Sequence, residues 1–274
     1  MFKIPAKGQI WEISSPQIMA IMNITPDSFF EKSRVQSIDI ALDIAAKFIQ
    51  EGATIIDIGG QSTRPGAAFI STEEEIQKIV PIIEAIHSKF PEICISVDTF
   101  NSQVAVEGLK AGAHIINDIS CGQFDENMFK VVTEFNAGYI GMHLTGDKEN
   151  RHIIPTRANI MEELIAYFQQ KKKLLSSFGI EQWVIDPGFG FGKTIEENFT
   201  IVKQLNDLSF LNLPILLGVS RKSSIYKSLE TSAEDALNGT TIVNTIGLKN
   251  GAHILRVHDV KEAKEIVTLL PQLV

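Results

Sequence analysis

Short apolar runs rich in β-branched residues recur along the chain at residues 18–22, 54–58, 93–97, 114–116, 139–142, 183–185, 215–219 and 253–257. Their length and unbroken apolarity suit strands buried on both faces. Between them, 37–50, 72–89, 102–111 and 158–178 carry apolar residues at helical spacing. Strand and helix therefore alternate, which predicts parallel strands joined by helical crossovers. Eight such units match a closed (β/α)8 TIM barrel, a single α/β domain over residues 1–274. An open doubly wound sheet is the competing architecture, but no glycine-rich dinucleotide fingerprint follows the first strand. The residues before Ile18, broken at Gly8 and Pro16, are predicted to form an N-terminal hairpin or cap across the barrel's bottom.

A barrel of this kind accommodates 274 residues around one core, and 44% hydrophobic with 21% charged residues is ordinary for a soluble globular protein. Residues 1–15 interleave charged and apolar side chains, unlike a secretory leader, and no apolar run is long enough to span a bilayer. A cytoplasmic protein with no membrane partner is expected. Cys94 and Cys121 are too few for a disulfide framework or a thiolate metal site and read as buried free thiols. The net charge of −8, from 25 basic and 33 acidic residues, argues against a nucleic-acid partner. Any anion bound must meet a local basic cluster.

Chemistry in such barrels is built at the carboxyl ends of the strands, so the residues leaving each strand are the candidates. They include Asn23 to Phe29, Asp57 to Gly66, Asp98 with Thr99, Asn117 with Asp118, His143, Asp186 to Lys193, Ser220 to Ser223 and Arg256 to Asp259. Every exit is polar or charged. Asp98, Asn117 and Asp186 each could be a turn former, but three on one rim suit a flat heterocycle with amino and amide edges. Arg64, Arg221, Lys222, Arg256 and His258 come from three exits and would make an anion site fit for a mono- or diphosphate. The alternative is that these cations neutralise nearby aspartates, Arg221 foremost. Gly188, Gly190 and Gly192, interleaved with Phe189 and Phe191, permit close backbone approach beside an aromatic wall.

Taken in chain order, 23–29, 62–66, 96–99, 116–119, 186–193, 220–223 and 256–260 resemble the dihydropteroate synthase family of folate biosynthesis, over nearly the whole chain. The resemblance implies a transferase condensing 6-hydroxymethyl-7,8-dihydropterin diphosphate with 4-aminobenzoate, giving 7,8-dihydropteroate and diphosphate by a loose displacement. It implies that Asp98, Asp186, Lys222 and Arg64 are catalytic, and that Asp98, Asn117, Met142, Asp186, Phe191 and Lys222 hold the pterin. By the same resemblance Asn23, Thr63, Arg64, Arg256 and His258 meet the diphosphate, with Asn23 on Mg²⁺. Phe29, Pro65, Phe191, Ser220 and Lys222 would shape the aminobenzoate pocket. The resemblance also implies a homodimer.

The chain departs from the family pattern in three loops. Residues 30–34 replace a small residue and Asp-Gly-Gly, Gln61 stands for the usual glutamate, and residues 146–152 replace a Gly-x-Pro-x-x-Met-Gln stretch. These bear on loop closure, aminobenzoate affinity and sulfonamide sensitivity, whereas the pterin and anion residues are all present. A methyltransferase barrel that binds a folate would not need the cations at 220–222 and 256–258, and a pterin-binding paralogue without turnover is the non-enzymatic alternative.

Overall fold

In the computed structural model, residues 1–24, 34–61, 69–150 and 153–273 are described. Two short strands, β1 (Phe2–Pro5) and β2 (Ile10–Ile13), pair antiparallel, with Phe2 opposite Ile13. Eight parallel strands follow: β3 (Gln17–Asn23), β4 (Ile55–Gly59), β5 (Cys94–Asp98), β6 (Ile115–Asp118), β7 (Gly138–Met142), β8 (Val184–Asp186), β9 (Leu216–Leu217) and β10 (Ile254–Val257). Their order around the sheet is β8-β7-β6-β5-β4-β3-β10-β9. The ring closes where Ile185 bridges Ile215 and the Ile185 N–H donates to the Pro214 carbonyl at 3.0 Å. The fold is a (β/α)8 barrel.

Helices cross over between the strands: α1 (Arg34–Glu51), α2 (Thr72–Lys89), α3 (Ser102–Lys110), α4 (Met128–Phe135), α5 (Ile160–Ser177), α6 (Ile195–Lys203), α7 (Ser223–Ser228), α8 (Leu237–Lys249) and α9 (Val260–Leu269). Several begin where a short polar side chain caps the first turn. Ser71 accepts from the Glu74 amide, Asn101 from Gln103, Asn159 from Met161, and Thr194 with Glu197 forms a reciprocal capping box. None of the described helices is long and apolar enough to cross a membrane. Cys94 and Cys121 are free thiols, both pushed up to about 12 by burial.

Two apolar layers hold the barrel. Outward-facing residues such as Ile56, Ile58, Ile95 and Val97 pack under the helices, while Met19, Ile55, Ile115, Ile140, Val184, Leu216 and Ile254 fill the lower interior. Ile4, Ala6, Trp11 and Ile13 of the N-terminal hairpin close that inner layer from below. The expected cap is thus a hairpin. The expected strand 215–219 shrinks to Leu216–Leu217, because Pro214 has no amide to donate and Gly218 has no side chain to pack.

Because strand side chains alternate, each inward residue of the apolar layer sets the phase of what lies above it. Two residues beyond Ile55 comes Asp57; beyond Ile115, Asn117; beyond Ile140, Met142; beyond Val184, Asp186; beyond Ile254, Arg256 and then His258. Beyond Cys94 come Ser96 and Asp98, and beyond Met19 come Ile21 and Asn23. A greasy floor and a polar mouth follow from one period of two.

Candidate active site

The register sets Asp98 beside Asn117 and Met142 beside Asp186 on neighbouring strands. At the centre, Arg256 donates from Nε to Asp57 Oδ2 at 2.7 Å and from Nη2 to Asp98 Oδ2 at 2.6 Å. Asn117 Nδ2 donates to the same Asp57 oxygen at 2.9 Å. These residues come from four strands and share one buried network. Burial pushes the Asp98 carboxyl up to about 7 against the pull of Arg256, with Asp57 adding repulsion. Arg256 keeps its proton all the more firmly, since Asp57 and Asp98 outweigh the cost of its own burial.

A second cluster lies on the glycine loop. Asp186 Oδ1 accepts from the Gly188 amide at 2.7 Å, and burial raises its carboxyl pKa despite Lys222 nearby. Lys222 Nζ donates to the Phe189 carbonyl at 2.5 Å and sits 4.6 Å above the Phe191 ring. Burial draws this amine down to about 8, with Asp186 working in the opposite direction. The glycines are required here: Gly188 and Gly190 have φ of +71° and +83°. A Cβ at 188 would lie 2.1 Å from the His143 carbonyl oxygen, and one at 190 would meet the Lys222 side chain at 2.9 Å.

Ser220 and His258, expected to serve different substrates, are neighbours. The Ser220 Oγ is 2.9 Å from His258 Nδ1 and accepts from the His258 amide at 3.2 Å. Asn23 ends β3 with its side chain exposed at the mouth. Met142 and Phe191 pack with Phe100, Ile119 and Leu144 in an apolar wall, which Phe69 and Phe124 extend. Lys148 Nζ lies 4.8 Å from the Phe69 ring and 4.6 Å from that of Phe100, tying the loop after β7 across the mouth. Phe29, Thr63, Arg64 and Pro65 lie outside the described residues, as do residues 30–33 and 151–152 of the altered loops.

Three exit residues turn away from the mouth. Arg221 binds Asp259 through Nε at 2.9 Å and Nη2 at 2.8 Å, with Nη1 on the carbonyls of Ala233 and Glu234, so it belongs to no anion cluster. His143 is buried against α5, its Nε2 3.2 Å from Glu163 Oε1, and burial draws it down to about 4. Asp118 accepts from Ser120, Gly122 and the Tyr139 hydroxyl and serves as a loop staple. Arg256, expected at the diphosphate, is the clamp between Asp57 and Asp98, and so joins the two halves of the rim.

As an exit residue Asp57 carries no role in the sequence reading. Its signal was a charge inside the otherwise apolar run Ile55 to Gly59, in the inward phase. Glu75 of α2 was missed altogether. It is buried under Gly60, raised to about 7 by burial against its Thr99 hydrogen bond, and its charge is felt at Asp98. Gln61 is also buried, and its Oε1 accepts from the Ile70 amide at 3.0 Å, a bond for which no charge is needed.

A closed barrel with a carboxylate–amide pocket opening beside a half-buried lysine has the chemistry of a heterocycle-binding enzyme. Residues 19–258 match the family model described as pterin binding enzyme, and the chain belongs to that family. Its relatives include several dihydropteroate synthases. That of Escherichia coli K12 is 39% identical over 270 residues, covering 98% of this chain and 95% of the relative. The solved structure of the Yersinia pestis dihydropteroate synthase with a sulfonamide drug superposes with a TM-score of 0.91 at 36% identity, covering 99% of both chains. The Xanthomonas albilineans dihydropteroate synthase with 4-aminobenzoic acid gives 0.90 at 31% identity, over 99% of this chain and 97% of that one.

Proposed function

We propose that this chain is a dihydropteroate synthase, joining 6-hydroxymethyl-7,8-dihydropterin diphosphate to 4-aminobenzoate with release of diphosphate. One observation carries the reading: Asp98, Asn117 and Asp186 stand on one rim with Lys222, the acids raised and the amine lowered by burial. Such a set is poised to bind a ring whose amino and amide edges both donate and accept.

The pterin ring lies between Asp98, Asn117 and Asp186, with Met142 and Phe191 against its faces. Diphosphate points toward Asn23, Ser220 and His258, and the family resemblance assigns Thr63 and Arg64 to the same group. As the bond from the pterin methylene to diphosphate stretches, the ring gains positive character, and Asp98 and Asp186 stabilise it. Lys222 holds the ring on one side and, lying on Phe191, bounds the aminobenzoate pocket on the other. The aniline nitrogen attacks as a neutral amine, so no strong general base is needed, and its proton leaves to solvent.

Asn23 fits Mg²⁺ as a single hard oxygen donor beside substrate phosphates, the arrangement this ion prefers. Mg²⁺ bound there would supply positive charge to the leaving diphosphate. A homodimer is proposed through α8 and α9, where Ile242, Ile246 and Leu269 are 56%, 43% and 57% exposed. The cytoplasm is the proposed location, in keeping with two free cysteines. The purified chain, given the pterin diphosphate, 4-aminobenzoate and Mg²⁺, should release diphosphate and form dihydropteroate; formation of neither would refute the reading.

A further inference from the structure

Arg157 lies in the loop after β7, outside every motif that marks the active site, yet its side chain is only 5% exposed. Its Nε donates to Glu163 Oε2 of α5 at 2.9 Å. Nη1 and Nη2 both donate to the Gly192 carbonyl at 3.0 Å, so the guanidinium grips one peptide oxygen with two donors. Nη1 also reaches Glu197 Oε2 of α6 at 3.0 Å, and Nη2 reaches Thr145 Oγ1 at 3.2 Å. The same Glu197 oxygen accepts from the Thr194 amide at 2.7 Å in the capping box that starts α6.

The grip falls on the last glycine of a loop that has little stiffness of its own. Gly188, Gly190 and Gly192 all have positive φ, and glycine there gains no rigidity from a side chain. The loop is anchored instead from outside. Lys193 Nζ donates to the Gly188 and Phe191 carbonyls at 2.9 and 3.0 Å, and the Gly190 amide donates to Asn198 Oδ1 at 2.7 Å. Arg157 supplies the remaining anchor, at the residue directly after Phe191.

We propose that Arg157 is a positioning residue for the synthase reaction, fixing the glycine loop so that Phe191 stays under Lys222. The inference rests on the proposed activity, since Phe191 and Lys222 are given their substrates there. Arg157 touches neither substrate. It acts through a carbonyl: if Gly192 is released, Phe191 moves, and the ammonium that lies on its ring and on the Phe189 carbonyl loses its support. Lysine cannot replace it, because one ammonium cannot keep both the Gly192 fork and the bonds to two carboxylates in a plane.

The test uses the full chain with Arg157→Ala and Arg157→Lys. Misplacement of the pocket wall should raise KM for 4-aminobenzoate about tenfold in both variants. By contrast, kcat should stay within about threefold, because Asp98 and Asn117, which hold the pterin from β5 and β6, do not depend on the glycine loop. Arg157→Lys, which retains a cation between Glu163 and Glu197, should recover the thermal stability lost in Arg157→Ala without recovering KM. A fall in kcat with KM unchanged would mean fewer folded molecules and would overturn the proposal. So would full recovery of KM in Arg157→Lys. Hydrogen exchange reads the same point without substrate: the Gly190 and Phe191 amides should exchange about tenfold faster in Arg157→Lys, while those of β4 are unchanged. Unchanged loop exchange refutes the positioning role whether or not the parent chain turns over. Fast loop exchange with no turnover by the parent would leave the loop anchoring standing and remove the synthase reading.

Discussion

Asp57 accepts hydrogen bonds from both Asn117 and Arg256 on one carboxylate oxygen, while its other oxygen has no partner among the described residues. A buried carboxylate so placed is tolerable only while the guanidinium is there, and the reverse holds for Arg256. Asp57→Ala should therefore cost about 3–5 kcal/mol of stability, the range for breaking a buried pair, as read by denaturant unfolding. Activity should fall further than stability explains, because Asp98 and Asn117 lose their common reference; an active Asp57→Ala enzyme would contradict the arrangement. Lys222 gives a pH prediction. Its amine, drawn down to about 8, carries its charge below that pH and loses it above, so kcat/KM should decline as pH rises through about 8. In Lys222→Arg the residual activity should lack that alkaline limb, since a guanidinium does not titrate in the range.

The glycine loop between β8 and α6 shows what a single Cβ costs when backbone is the obstacle. Gly188→Ala would need a strained φ and would drive a methyl group into the His143 carbonyl, so a loss above about 3 kcal/mol is expected. Gly179 is the control. Its φ is +80° but nothing lies within 4 Å of the added Cβ, so Gly179→Ala should cost only about 1 kcal/mol. Melting temperatures of the two variants, at about 2–4 °C per kcal/mol for a chain of this size, would separate them. Strands were legible in the sequence because apolar runs and their two-residue phase survive any loop change. Which exit residues face the mouth was legible for Asp98, Asn117 and Asp186 for the same reason. The pairing of Arg221 with an aspartate was one of the two readings its position allowed, but the partners of Arg256 were not legible, because a long side chain chooses among acceptors on other elements; it reaches one 199 residues away in sequence. Arg157 and Glu75 were invisible because neither sits at a strand end.

Across the whole molecule, the acids of the mouth set a slope of stability with pH. Asp98 has an ordinary value of 3.8 and stands near 7 when folded, so between those values the folded chain binds more protons than the unfolded one. Stability from this group therefore falls as pH rises across that window. In Asp98→Asn the contribution disappears, so the difference in melting temperature, variant minus parent, should increase from pH 4 to pH 7; a constant difference would refute the assignment. The barrel's seam is a second property of the whole. Between β8 and β9 it is held by one bridge and the Ile185 amide, whereas β3 and β4 pair over five residues. The hairpin that stops the barrel's lower end carries Trp11, packed in the inner apolar layer, and the other tryptophan, Trp183, is buried beside Tyr139 and Phe168 under the helices. The chain has two tryptophans in all. Both indoles are built into the frame and neither into the mouth, so intrinsic emission is a gauge of the scaffold: it should change when the stopper or wall loosens and stay nearly constant as substrate arrives, leaving occupancy to be followed by the substrates' own light.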